Sequence, residues 1–192
     1  MPDSIGIIGI GLVGIELSIH LLRENYEVNG YDIRDERMEL LKKEGGIIHK
    51  NPGDVAKKCK IIILSLMTSK IVEDVIKGDH GILSISSENY PDYIIDTTTG
   101  EPEKSKEIAF FLKNKGISYL DSTISGSSTA IGKKEGIFLV GGDKNNYEDL
   151  VPIYDTLSKH HIYVGQAGSG AKAKLAVNLV MGLNRVALTE GI

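Results

Sequence analysis

The sequence predicts an α/β fold, a doubly wound and mostly parallel sheet followed by one long helix at the carboxyl end. Three observations carry this. Short β-branched runs alternate with amphipathic stretches along almost the whole chain, the pattern of strand–helix–strand units. Two of the runs, Ile5-Gly6-Ile7-Ile8 and Ile61-Ile62-Ile63-Leu64, lack polar alternation, as expected of strands covered on both faces. With 41% hydrophobic residues and a net charge of only -4 over 192 residues, the chain holds enough apolar surface to offset the entropy of ordering its backbone.

Taken in order, strands are expected at residues 5–10, 27–32, 61–65, 93–96, 118–121, 137–140 and 162–164. Helices fall between them. The first, about 12–24, groups Leu17, His20, Leu21 and Glu24 and stops at Asn25, a residue that tolerates the left-handed conformation. The second runs from Asp35 to Glu44 and stops at Gly45-Gly46. A third opens at Asn51-Pro52, with Asn as cap and Pro at the first helical position. Glu101-Pro102 opens another, which continues through Ile108, Phe111 and Leu112 to Gly116. The last helix, from Gly168 to Glu190, is apolar nearly all round through Leu175, Val177, Leu179, Val180, Met181, Leu183, Val186 and Leu188. At about 1.5 Å per residue it is roughly 34 Å long. Such a helix needs cover on more than one side, so either a second copy packs on it or the sequence is the front of a longer protein. Residues 1–165 thus read as one domain and 166–192 as an interdomain or dimerisation helix.

Composition narrows the function. A single cysteine excludes a disulfide framework, and Cys59 reads as a small apolar residue in a reducing compartment. The slightly acidic balance, 26 Asp plus Glu against 22 Lys plus Arg, argues against broad binding to nucleic acid. No stretch of about 20 apolar residues suggests a membrane span, and Met1-Pro2-Asp3-Ser4 carries no basic leader. A cytoplasmic location is expected. His160-His161 would point to opposite faces of an extended segment, and no metal site is expected. His20 reads as a packed or capping histidine.

The sharpest motif is Gly9-Ile10-Gly11-Leu12-Val13-Gly14, which follows an apolar strand and opens a helix. Asp32 stands 18 positions beyond Gly14, at the tip of the next strand, which completes a dinucleotide-binding, Rossmann-like fingerprint. Gly9 permits a tight turn, Gly11 lets backbone approach a pyrophosphate, and Gly14 allows close helix–strand packing. The free amides and the positive helix end hold the phosphates. Asp32 would accept from ribose hydroxyls and repel a 2′-phosphate, favouring NAD over NADP, although Arg34 could instead neutralise that phosphate. Ile33 beside Asp32, with Leu66 and Met67 past the third predicted strand, completes the expected cofactor-binding set together with Thr98.

Two hydroxyl clusters, Asp96-Thr97-Thr98-Thr99-Gly100 and Asp121-Ser122-Thr123-Ile124-Ser125-Gly126-Ser127-Ser128-Thr129, each follow a predicted strand, where open α/β sheets bind ligands. Near the start of the last helix stands Lys174, with Asn178 four residues later on the same face; Lys172 points largely elsewhere. Leu175, Ala176 and Val177 read as buried, and a lysine in a desolvated pocket can exchange protons near neutral pH.

These residues resemble the β-hydroxyacid dehydrogenases, the family of 3-hydroxyisobutyrate and 6-phosphogluconate dehydrogenases. The glycine loop is similar to that family's cofactor loop. Asp96-Thr97-Thr98-Thr99 with Pro102 resembles its D-M-S-T-x-x-P stretch beside the nicotinamide, with Thr98 where the family has Ser. Asp121 to Ser127 resembles D-A-P-V-S-G-G, which makes Ser125 and Gly126 candidates to contact substrate. Gly168-Ser169-Gly170 through Lys174 and Asn178 resembles G-x-G-x-x-x-K-x-x-N-N, which implies Lys174 as acid/base and Asn178 as its substrate-orienting partner. Val177, Ser127 and Ser122-Thr123 depart from the pattern. The resemblance implies hydride transfer between a small β-hydroxy acid and NAD, in chains that continue into an all-helical second domain; a homodimer through the last helix is expected from that helix's uncovered apolar surface. Two rival readings stand beside it: an NAD-binding module without catalysis, and decarboxylating oxidation of a sugar-acid phosphate, for which only Lys133-Lys134 offers basic residues near Ser125.

Overall fold

The computed structural model describes residues 4–191; residues 1–3, part of the segment read as lacking a basic leader, lie outside them. The strands are β1 (Ser4–Ile8), β2 (Glu27–Tyr31), β3 (Ile47–Ile48), β4 (Ile61–Leu64), β5 (Tyr93–Asp96), β6 (Ser118–Ser125), β7 (Ile137–Gly141) and β8 (His160–Gly165). The helices are α1 (Leu12–Arg23), α2 (Asp35–Lys43), α3 (Pro52–Ala56), α4 (Ser69–Lys77), α5 (Pro102–Lys113), α6 (Ser128–Gly132), α7 (Lys144–Leu157) and α8 (Ser169–Glu190). One sheet holds the strands in the order β3-β2-β1-β4-β5-β6-β7-β8. All neighbours are parallel except β6 and β7.

The continuous apolar strands are buried on both faces, as the missing alternation implies. Ile5, Ile7, Ile61 and Ile63 join one core cluster with Leu17, Leu21 and Tyr154, while Ile8, Ile62 and Leu64 join the other with Val72, Ile108 and Leu112. Local signals place the helix ends. Asn25 and Gly45 have φ of 64° and 102°, and the Asn51 side chain accepts from the Asp54 amide at 2.8 Å, where it caps α3 ahead of Pro52. His20 is buried, with Nε2 2.8 Å from the Ile131 carbonyl. Among the described residues, no helix is long and apolar enough to cross a membrane.

Three expectations need correction. Strand β6 does not end at Asp121 but runs on to Ser125, because β7 returns antiparallel and pairs Ser125 with Ile137. Ser122, Thr123 and Ile124 are therefore buried strand residues and not part of a free loop. Strand β3 has only two residues, too few to show any period. Leu175 and Ala176 are exposed and Val177 is half-buried, since α8 lies along β6, β7 and β8 only in its first turns and then leaves their surface.

Candidate functional site

Each glycine of the opening loop is required for a different reason. Gly9 has a φ of 93° and its missing Cβ would strike the Ser65 carbonyl; a Cβ on Gly14 would strike the Gly9 carbonyl. Over Gly11, by contrast, no atom lies within 4 Å of the Cβ position. Helix α1 begins at this open position, with no side chain capping its first turn. Open space, free amides and the positive end of a 12-residue helix fit a dinucleotide diphosphate.

Asp32 closes the loop onto β2. Its Oδ2 accepts the Ile10 N–H at 2.7 Å, and its Oδ1 accepts the Arg34 N–H at 3.0 Å. The Arg34 guanidinium turns back on the same carboxylate, with Nε at 3.4 Å. The Ile10 side chain belongs to the core, so this residue serves the loop through its backbone. Three large apolar side chains are left exposed just past strand ends on this side of the sheet, Leu12 at 65%, Ile33 at 86% and Met67 at 85%. They follow the carboxyl ends of neighbouring strands β1, β2 and β4, the end at which open α/β sheets take ligands.

The opposite wall rests on a buried carboxylate. Asp96 accepts the Thr98 N–H on Oδ1 at 2.9 Å and the Tyr119 hydroxyl on Oδ2 at 2.6 Å. Burial outweighs these bonds and pushes its pKa up to about 6. Thr98 is itself buried, and its Oγ1 accepts the Leu66 N–H at 3.2 Å. It thus braces the strand-β4 loop, while its neighbours Thr97 and Thr99 reach the cleft surface. Asp96 was legible only as the head of a hydroxyl cluster; its bracing role depends on Tyr119, 23 residues away in sequence.

The cleft, about 300 Å³, is lined by Val13, Leu66, Met67, Ile124, Gly126 and Lys174 together with Ser65, Thr97, Thr99 and Ile131. Residues from both ends of the chain therefore meet in one place. Partial desolvation holds the Lys174 amine below its ordinary 10.5, which raises the fraction able to accept a proton. Gly126, with a φ of 149°, turns the chain out of β6 at the cleft edge. Ser125 is half-buried just behind it, and Asn178 is exposed one turn beyond Lys174, outside the lining. Two further hydroxyls of the cluster, both inside the strand, are engaged in packing: Ser122 Oγ lies 2.6 Å from the Tyr154 hydroxyl, and Thr123 Oγ1 donates to the Gly170 carbonyl at 2.8 Å. A larger groove of about 550 Å³ lies between α5 and the turn before α8. It contains none of the glycine loop or parallel strand tips, and so lacks the features that hold a nucleotide.

Residues 4–165 match the family model described as the NAD binding domain of 6-phosphogluconate dehydrogenase. Among curated proteins, the chain is 31% identical over 189 residues to glyoxylate/succinic semialdehyde reductase 1 of Arabidopsis thaliana, covering 98% of this chain and 65% of that one. It is 28% identical over 188 residues to the mitochondrial 3-hydroxyisobutyrate dehydrogenase of Rattus norvegicus, covering 98% of this chain and 56% of that one. The fold superposes on Mycobacterium tuberculosis 3-hydroxyisobutyrate dehydrogenase, solved with L-serine, at a TM-score of 0.91 and 21% identity, over 100% of this chain and 64% of that one. The chain thus spans less than two thirds of the length of each of these proteins.

Proposed function

Because the chain belongs to the family of the NAD binding domain of 6-phosphogluconate dehydrogenase, we propose that it carries the nucleotide-holding and proton-transfer parts of an oxidoreductase for small β-hydroxy acids of the 3-hydroxyisobutyrate kind. The observation that carries this reading is Lys174, partly desolvated in the same cleft as Val13, Leu66 and Gly126. NAD, when bound, supplies the redox chemistry. The chain's own residues hold, orient and move a proton. Gly11 and the first amides of α1 grip the diphosphate, and Asp32 grips the ribose. Ser125 and the Gly126 N–H bind the substrate carboxylate, and Asn178 orients the substrate from the outer rim. Lys174 takes the proton from the hydroxyl being oxidised and returns it in the reverse direction. Lys174→Ala is expected to abolish turnover while NADH affinity stays within a few-fold; near-normal turnover in that variant would refute the assignment.

The exposed outer turns of α8 favour a second reading, a module that binds NAD and docks through that helix without turning over. NADH fluorescence titration and a turnover assay over a panel of hydroxy acids, on the same sample, separate the two. In both readings the apolar side chains of α8, Leu179, Val180, Leu183 and Val186 among them, cover one another in a homodimer. Light scattering tests this, and a well-behaved monomer would overturn it.

A further inference from the structure

Helix α8 begins without a capping side chain of its own, since its N-cap is Gly168 with a φ of 87°. The amides of a first helical turn have no partners within the helix, and here that turn is pressed into the sheet. Gly170 and Ala171 are buried. A Cβ on Gly170 would strike the backbone carbonyl of Asp121, and one on Gly141 would lie 2.8 Å from the Gly170 nitrogen. Two glycines, one on each side, therefore let the helix start sit directly on β6 and β7.

The missing cap comes from the sheet. Asp121 Oδ1 accepts the Gly168 N–H at 2.9 Å and Oδ2 accepts the Ala171 N–H at 2.9 Å, from 47 and 50 residues away. Thr123, two residues along the same strand face, donates to the Gly170 carbonyl. We propose that Asp121 is a positioning residue, a cap supplied by β6 that clamps the amino end of α8 and so places Lys174, one turn further on, in the cleft. Its catalytic consequence rests on the proposed role of Lys174, but the clamp does not. A carboxylate is suited to this task because it offers both oxygens to amides at the positive end of a helix dipole. An asparagine can accept from one amide only and faces the other with its own N–H groups.

Hydrogen exchange on the unmodified chain is the first test. The Gly168 and Ala171 amides, which exchange freely in an uncapped helix, should be protected at least 100-fold; free exchange would overturn the proposal. The second test follows the Lys174 amine by NMR after reductive ¹³C-methylation, with Lys174→Arg used to assign the resonance. Asp121→Asn should move its titration up towards that of an exposed lysine and remove the protection of one of the two amides, Gly168 or Ala171. Ser122→Ala, which disturbs the neighbouring buried bond to Tyr154 but not α8, should leave both unchanged. A Lys174 titration unaltered in Asp121→Asn, or altered equally in Ser122→Ala, would overturn the positioning role. If Asp121→Asn does not fold, the exchange rates of the unmodified chain decide. Turnover retained in Lys174→Ala would remove the catalytic reading and leave these measurements standing.

Discussion

Replacing Asp96 by Asn tests the wall of the cleft through its energetics. Asp96 is fully buried, and its pKa rises from the ordinary 3.8 to about 6 because burial penalises the charged form more than the Thr98 and Tyr119 bonds stabilise it. An acid with a higher pKa in the folded chain binds its proton more tightly there. Its contribution to stability is therefore complete below the unfolded pKa of 3.8 and is lost as pH rises through the folded value of about 6. Each unit of pKa is worth about 1.4 kcal/mol, so the total loss is about 3 kcal/mol, of which about 2 kcal/mol falls between about pH 4.5 and about pH 7.5. Asn is nearly isosteric, still accepts the Thr98 N–H, and carries no charge. Its amide N–H groups face the Tyr119 hydroxyl, which can accept as well as donate. Urea unfolding of both proteins across that range should show the original chain losing about 2 kcal/mol relative to Asp96→Asn. Asp54, Glu73 and Glu103, held low by neighbouring lysines, slope the opposite way but are common to both proteins and cancel in the difference. Parallel stability curves would refute the account of Asp96 as a buried, proton-favouring brace.

The glycines of the first loop should separate folding from binding. Gly11→Ala meets nothing, so thermal stability should stay within about 0.5 kcal/mol while NADH affinity falls at least about tenfold, by loss of close backbone approach. Gly14→Ala drives a methyl into the Gly9 carbonyl and should cost about 1–3 kcal/mol as well as binding; equal behaviour of the two variants in calorimetry would contradict the division of roles. Asp32→Asn keeps an acceptor for the Ile10 N–H, removes the charge and frees Arg34. The NADPH-to-NADH affinity ratio should rise by about tenfold, the scale of one charge interaction near a surface, and an unchanged ratio would show that Asp32 does not set the preference.

Much of the site could be read from local pattern. The glycine loop, the acidic tip of β2 and the boundaries at Asn25, Gly45 and Asn51-Pro52 depend on backbone conformations and caps that a few adjacent residues impose. The alternating elements and the two-faced strands likewise express periodicities contained in short windows. Lys174 could be singled out by its place after a second glycine turn, by Asn178 on the same helix face and by the family pattern these residues resemble. The expected burial of Leu175, Ala176 and Val177 is not what the fold provides: Leu175 and Ala176 are exposed, and Lys174 is partly buried where it lines the cleft.

What local pattern could not convey depends on which segments pair. A run of Asp, Ser and Thr has the composition of a turn, yet Ser122 and Thr123 lie in the sheet because β7 returns antiparallel and supplies partners for their backbone. The bonds of Asp96 to Tyr119 and of Asp121 to the start of α8 join residues 23 to 50 positions apart. A buried carboxylate is satisfied by whatever donors the fold brings to it. No window of neighbouring residues contains those donors, so the same aspartates read as loop polarity in the chain and become braces only once the sheet is assembled.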